Sequence, residues 1–247
     1  MNSSIRETFH SHWETYFPGA DLPIVISYAN DEGSLPTPPS AGVAHCIICN
    51  LARVRDGVAR VFDGESIRCG GARRYLGFET KVRPNFPQFL SCGIPGEMEG
   101  ERYKRSPELV EAYLQNQPAF EAPGRFIVFK RWDDLQAADA PEVVVFFAPP
   151  DVLSGLFTLA NFDERRPDGV ISPFGSGCAS IVYHPYRELQ SERPRAVLGM
   201  FDVSARPCVA PGLLTLAIPW PKFVEMVGHM DESFLITRSW ERVRARL

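Results

Sequence analysis

Apolar positions in the first sixteen residues fall at Ile5, Phe9, Trp13 and Tyr16, spaced by four, four and three among charged and polar neighbours. That spacing puts them on one helical face and predicts a helix over residues 2–16, stopped by Phe17-Pro18-Gly19. Pro23 to Tyr28 reads as a buried strand, followed by a proline-rich loop from Leu35 to Ser40. The helical period returns from Val43 to Asp56, and Gly57 stands where a left-handed glycine ends a helix. Val58 to Phe62 alternates as a half-exposed strand does. Residues 79–105 carry Pro84, Pro87 and Pro95 and read mostly as loop. Ser106-Pro107 then supplies an N-cap and a first-turn proline for a new helix.

The second half is organised around Glu142 to Ala148, an unbroken apolar run after its first residue. Such a run is buried on both faces, the habit of a central strand in an α/β sheet. Phe126 to Phe129 predicts a short strand before it, and Asp151 a cap for a helix running to about Phe162. A glycine-rich turn from Pro173 to Gly177 leads into a helix starting at Cys178. Strands follow at Ala196–Asp202 and Leu213–Ile218, then a helix at Trp220–Gly228 and a basic tail, Arg238–Leu247, read as a solvated helix face. No linker divides the chain. The expectation is one domain over residues 1–247, α/β in class with a mixed α+β arrangement as the alternative, built on a central mixed sheet flanked by helices. Both halves place strand, helix and glycine–cysteine turn in succession, which hints at internal duplication.

Composition narrows the partners. Apolar residues make up 45% against 23% charged, which suits a packed core and not a disordered chain. The net charge of −4, without a basic cluster, argues against nucleic acid and against an anionic membrane surface. The amino terminus has no apolar core of the kind a secretory signal needs. The longest apolar stretch also falls far short of the roughly 20 residues that span a bilayer. These features predict a cytoplasmic protein, in a compartment where thiols stay reduced. Its six cysteines are therefore expected as free thiols or ligands, with disulfides the least favoured outcome.

Cys46 and Cys49 form a Cys-x-x-Cys pair on the predicted helix, so both sulfurs share one face, with Asn50 and Arg53 alongside. Cys69, Cys92 and Cys178 are the further thiol candidates. Thiolates are soft, charged donors that suit zinc or an iron–sulfur cluster, and Cys46, Cys49, Cys69 and Cys178 are the candidate ligands. Against this, no second Cys-x-x-Cys knuckle is present, and a pair flanked by Ile47 and Ile48 also suits core packing. Two glycine–cysteine turns add to the picture: Cys69-Gly70-Gly71 and Gly175-Ser176-Gly177-Cys178. In each, backbone amides at a helix start would face a cofactor or an anion and would favour the thiolate. Close helix–strand packing explains the same glycines. Neither turn has the spacing of a nucleotide-phosphate motif. The turns at Cys69 and Cys178 are expected to line one pocket, with Arg68, Arg73 and Arg206 as positive neighbours. His45, His184 and His229 lack ligand spacing and read as structural.

Several longer segments carry a resemblance. His45 to Arg55, Arg68 to Phe78, Leu90 to Gly96, Glu99 to Tyr103, Val145 to Ala148, Leu156 to Phe162, Pro173 to Cys178 and Gly199 to Pro207 resemble the bacterial and archaeal family called domain of unknown function 169, also labelled ArCR. The resemblance covers nearly the whole chain. It implies one domain and brings no catalytic roles with it. Two function classes are therefore carried forward. The first is a binding protein that holds a cofactor, an iron–sulfur cluster or another metal, or an anionic metabolite at the glycine–cysteine turns. The second is an enzyme that uses Cys69 or Cys178 as a thiolate nucleophile or redox group.

Overall fold

A computed structural model describes residues 3–37 and 46–247. Its centre is β4, Val143–Ala148, every residue of which is buried. The strand lies between β1 (Ile24–Ala29) and β7 (Leu214–Pro219), antiparallel to both, with Val144 opposite Val25 on one side and Ile218 on the other. With β2 (Arg60–Phe62), β3 (Phe126–Arg131), β5 (Val170–Ile171) and β6 (Ala196–Gly199), it forms a seven-stranded sheet in the order β2-β3-β1-β4-β7-β6-β5. Among the described residues only β5 and β6 run parallel, so the sheet is mixed.

Helices cover both faces, which is why β4 needs no polar side. Strand side chains alternate between faces. Val143, Val145 and Phe147 therefore join Ile24, Ile26, Ile127 and Phe129 in one core. That core is closed by residues of α2 (Ile47–Arg55), α3 (Gly70–Tyr75), a π-helical turn (Ala179–Tyr183) and α7 (His184–Leu189). Val144, Phe146 and Ala148 face the opposite core, with Val25, Leu216 and Ile218. There α1 (Ser3–Tyr16), α6 (Pro150–Ala160), α8 (Trp220–Gly228) and α9 (Arg238–Arg244) supply the cover. The spacing in the first helix has its physical counterpart here. Phe9 and Trp13 are buried, Phe9 edge-on to Trp132 at 4.6 Å and Trp13 stacked on Phe17 at 4.4 Å. Each such side chain contributes about 1.5–3 kcal/mol by burial. Gly57, at φ +84°, follows the Asp56 cap of α2 as its spacing predicted.

Several local expectations change. A short helix, α4 (Phe86–Leu90), stands inside the stretch read as loop, with Pro87 tolerated in its first turn. The next helix, α5 (Pro107–Gln115), starts at the predicted proline. Pro149, not Asp151, takes the cap position of α6. Strand β6 stops at Gly199, three residues short of Asp202, because the chain turns at Met200 with φ +69°. The two-residue β5 is too short to leave a pattern. The predicted start of α2 at Val43, residues 38–40 of the proline-rich loop and His45 lie outside the described residues.

The second core is closed tightly at Gly155 in α6. A Cβ there would lie 2.5 Å from Cη2 of Trp240 and 2.8 Å from Cε1 of Phe17. Both obstacles are ring atoms in packed aromatics, which cannot swing away cheaply. Gly155→Val should cost about 2 kcal/mol through overpacking, read as a lower denaturant midpoint. An unchanged midpoint would mean that α9 can move away from α6 freely.

Candidate metal centre

Two segments distant in sequence meet at one edge of the first core. Cys46 takes the cap position of α2 in extended conformation, and Cys49 follows in the first turn. Asn50 Nδ2 donates to the Cys46 carbonyl oxygen at 2.9 Å, which ties the cap to its helix. The second segment is the 3₁₀ turn Arg206–Cys208, enforced by Pro207 and closed by Cys208 N–H donating to Ala205 O at 3.0 Å. This turn packs on α2, so Cys208 arrives beside Cys49 with the two Cα atoms 4.6 Å apart. The sulfurs of Cys46, Cys49 and Cys208 all lie within 4.8 Å of one another.

Cys49 and Cys208 are joined as a disulfide. This corrects the expectation that all six cysteines are free thiols or ligands. The partners are 159 residues apart, and only the docking of the 3₁₀ turn on α2 brings them together. Cys46, Cys69, Cys92 and Cys178 remain free. Cys46 is a half-buried residue and Cys49 an exposed one.

Cys178 is buried, with 6% of its surface exposed, and sits in the core against which Cys46, Cys69 and Cys208 pack. Burial pushes its thiol well above the ordinary cysteine range, and negative charge on Cys46, Cys69 and Asp202 pushes the same way. Cys69 caps α3 without a side-chain hydrogen bond to the helix. Cys69 and Cys178, expected as ligands with Cys46 and Cys49, adjoin the same core but do not belong to the group of sulfurs within 4.8 Å, in which Cys208 stands instead. Cys92 stands apart, exposed in a turn and 3.7 Å from the Gly93 carbonyl oxygen.

The two glycine–cysteine turns differ physically. At the second, two of the amides near the helix start are occupied: Gly177 N–H donates to Asp202 Oδ2 at 2.9 Å and Ala179 N–H to Ser176 Oγ at 3.2 Å. A Cβ on Gly177 would come within 3.1–3.2 Å of Met200 Sδ, Ala205 Cβ and Ile48 Cγ1, so close packing accounts for that glycine. A Cβ on Gly175 would meet Ala179 Cβ at 3.1 Å. At the first turn nothing among the described residues within 4 Å constrains Gly70, and Gly71 would meet only the Cys69 sulfur among them, at 3.8 Å. Helix α3 has only six residues, too short for a strong dipole. Of the expected positive neighbours, Arg206 donates to Leu213 O at 2.6 Å and Arg73 lies 3.9 Å from Glu79.

His184 follows the π-helical turn, and its buried Nε2 has no hydrogen-bond partner among the described residues. Burial, then the charge of Arg187, pulls its pKa down to about 4, against 6.5 for an ordinary imidazole. The unfolded chain therefore binds this proton first. Stability should be complete above pH 6.5, fall as the pH drops toward 4, and level off below that. His184→Gln should flatten this segment of the stability–pH curve, measured by denaturant titration. A curve of unchanged slope would assign the acid sensitivity to other groups.

Cys208 escaped the reading of the sequence. Its signals there were slight: a proline-led turn at Arg206-Pro207 and the fact that it was the one cysteine left unplaced. No helix of the described residues is long and apolar enough to cross a membrane. Among known proteins, the model of the family described as Uncharacterised ArCR, a domain of unknown function, matches residues 21–229, which takes in Cys46, Cys49, Cys69, Cys178 and Cys208. No curated protein and no solved structure matches the chain.

Proposed function

Starting from a chain that belongs to the Uncharacterised ArCR family, domain of unknown function 169, we propose that this member binds a soft metal ion through a centre of cysteine thiolates. The observation that carries this is the convergence of Cys46, Cys49 and Cys208 sulfurs to within 4.8 Å of one another. Bonds of about 2.3 Å to one tetrahedral zinc separate its thiolate sulfurs by roughly 3.8 Å. Once the Cys49–Cys208 pair is reduced, the three donors need only small shifts to meet on one ion. All three are sulfur, a donor set that selects zinc, copper(I) or the iron of a cluster over magnesium or calcium. Cys178 and Cys69 adjoin the same core but lie outside that group, so either would have to move to take the fourth position.

An anionic metabolite is less well supported, because Asp202 and Ser176 already take two amides of the second turn, those of Gly177 and Ala179. The thiol-enzyme alternative rests on Cys69, which is half-buried, since buried Cys178 is out of a substrate's reach. Anaerobically reduced full-length chain titrated with zinc against a chromogenic chelator should take up one tightly held equivalent. Uptake no greater than that of chain alkylated at its cysteines would overturn the proposal.

A further inference from the structure

On that metal-binding reading, we infer that the centre is redox-gated: the Cys49–Cys208 disulfide is its closed state and the dithiol its metal-binding state. The same two sulfurs serve both purposes. As a disulfide they share an electron pair, and neither can act as a thiolate ligand, which leaves Cys46 as a single donor of the triad. As thiolates they complete a three-sulfur set with Cys46.

The accessibility of the sulfurs gives the exchange a direction. Cys49 is the exposed member and Cys208 the half-buried one. An incoming small thiolate reaches Cys49 Sγ, forms a mixed disulfide there, and displaces Cys208 as a thiolate. A second thiolate attacks the small-molecule sulfur and releases Cys49. The net step converts one protein disulfide and two small thiols into two protein thiols and one small disulfide. Binding of a divalent ion to three thiols then releases three protons. In reverse, an oxidised small-molecule disulfide takes two electrons from Cys49 and Cys208 and expels the metal.

Cys46 is the residue that separates the two functions. It lies outside the disulfide, so it is dispensable for closing and needed for binding. The surrounding fold is already built in the closed state, with Asn50 holding the Cys46 carbonyl and the 3₁₀ turn holding Cys208. Opening therefore requires no refolding of α2.

The test compares zinc binding by the full chain after reduction and after treatment with oxidised glutathione, with free thiols counted in parallel. One zinc equivalent is expected in the reduced chain. Oxidation should release it with the loss of two thiols, and peptide mapping should recover Cys49 linked to Cys208. Apparent zinc affinity should fall by at least about 100-fold between the two states, beyond the 10–100-fold typical of losing a supporting contact. Cys46→Ser should still form the disulfide while binding zinc weakly in both states. Zinc retained at equal affinity by the disulfide form, or oxidation that joins other cysteines, would overturn the gate while leaving metal binding intact. Absence of zinc from the reduced wild-type chain would overturn metal binding and the gate together.

Discussion

Cys46→Ser should lower the zinc affinity of the reduced chain by about 100-fold or more, with the fold unchanged. Cys46 occupies the cap of α2, where its side chain makes no capping hydrogen bond. Serine is a favoured cap residue, so the replacement asks nothing of the helix and can even support it. What it removes is one of three soft donors whose sulfurs lie within 4.8 Å of one another. A neutral hydroxyl cannot replace a thiolate at such an ion. The loss of a supporting contact alone typically costs 10–100-fold in metal affinity, and the loss of a donor exceeds that. Far-UV circular dichroism and the denaturant midpoint should match the wild type. An affinity within threefold of wild type would place the ion, if bound, on other residues.

Lys222→Ala should destabilise the chain by about 3 kcal/mol. Lys222 is 2% exposed and extends from α8 to Glu164 Oε1 at 2.8 Å and to Glu225 Oε1 at 2.7 Å. The Glu164 side chain is itself only 8% exposed. Removing the ammonium leaves that carboxylate buried with Arg193, at 2.7 Å, as its remaining cation. The presence of Arg193 puts the loss at the lower end of the range for breaking buried pairs. Burial alone would raise the Glu164 carboxyl, but the hydrogen bonds from Lys222 and Arg193 outweigh it and hold the group below its ordinary value. Its stabilisation is thus present above the ordinary carboxylate range and is lost as pH falls through the lowered value. Lys222→Ala should therefore show a weaker loss of stability in acid than the wild type. Lys222→Met separates charge from packing by keeping an apolar stem. If Met restores full stability, the cost lies in packing and not in the stranded carboxylate.

The layout of the fold was legible wherever a single element carried its own pattern. The spacing of Phe9, Trp13 and Tyr16 gave α1, and the unbroken run from Val143 to Ala148 gave the strand that both cores share. Short elements were not legible, because α4 and β5 contain too few residues for a period to emerge. The cysteine centre was half legible. Cys46 and Cys49 announce themselves as a Cys-x-x-Cys pair, a local property, although Cys46 is the extended cap of α2 and not a residue of the helix face on which the spacing placed it. Cys208 does not, because its place beside Cys49 depends on tertiary docking across 159 residues. The second glycine–cysteine turn was misleading for a related reason. The Gly177 amide is claimed by Asp202, which follows a turn at Met200 that no local pattern marks.

Cobalt(II) added to the anaerobically reduced chain probes the thiolate centre most directly, because sulfur-to-cobalt charge transfer reports the donors themselves. One equivalent should bring up the near-ultraviolet charge-transfer absorption together with the visible bands of a tetrahedral ion. Zinc should displace the cobalt and bleach both, and Cys46→Ser should lose most of the signal. A reduced wild-type chain that stays colourless, or a cobalt spectrum unchanged in Cys46→Ser, would contradict a metal centre at Cys46, Cys49 and Cys208.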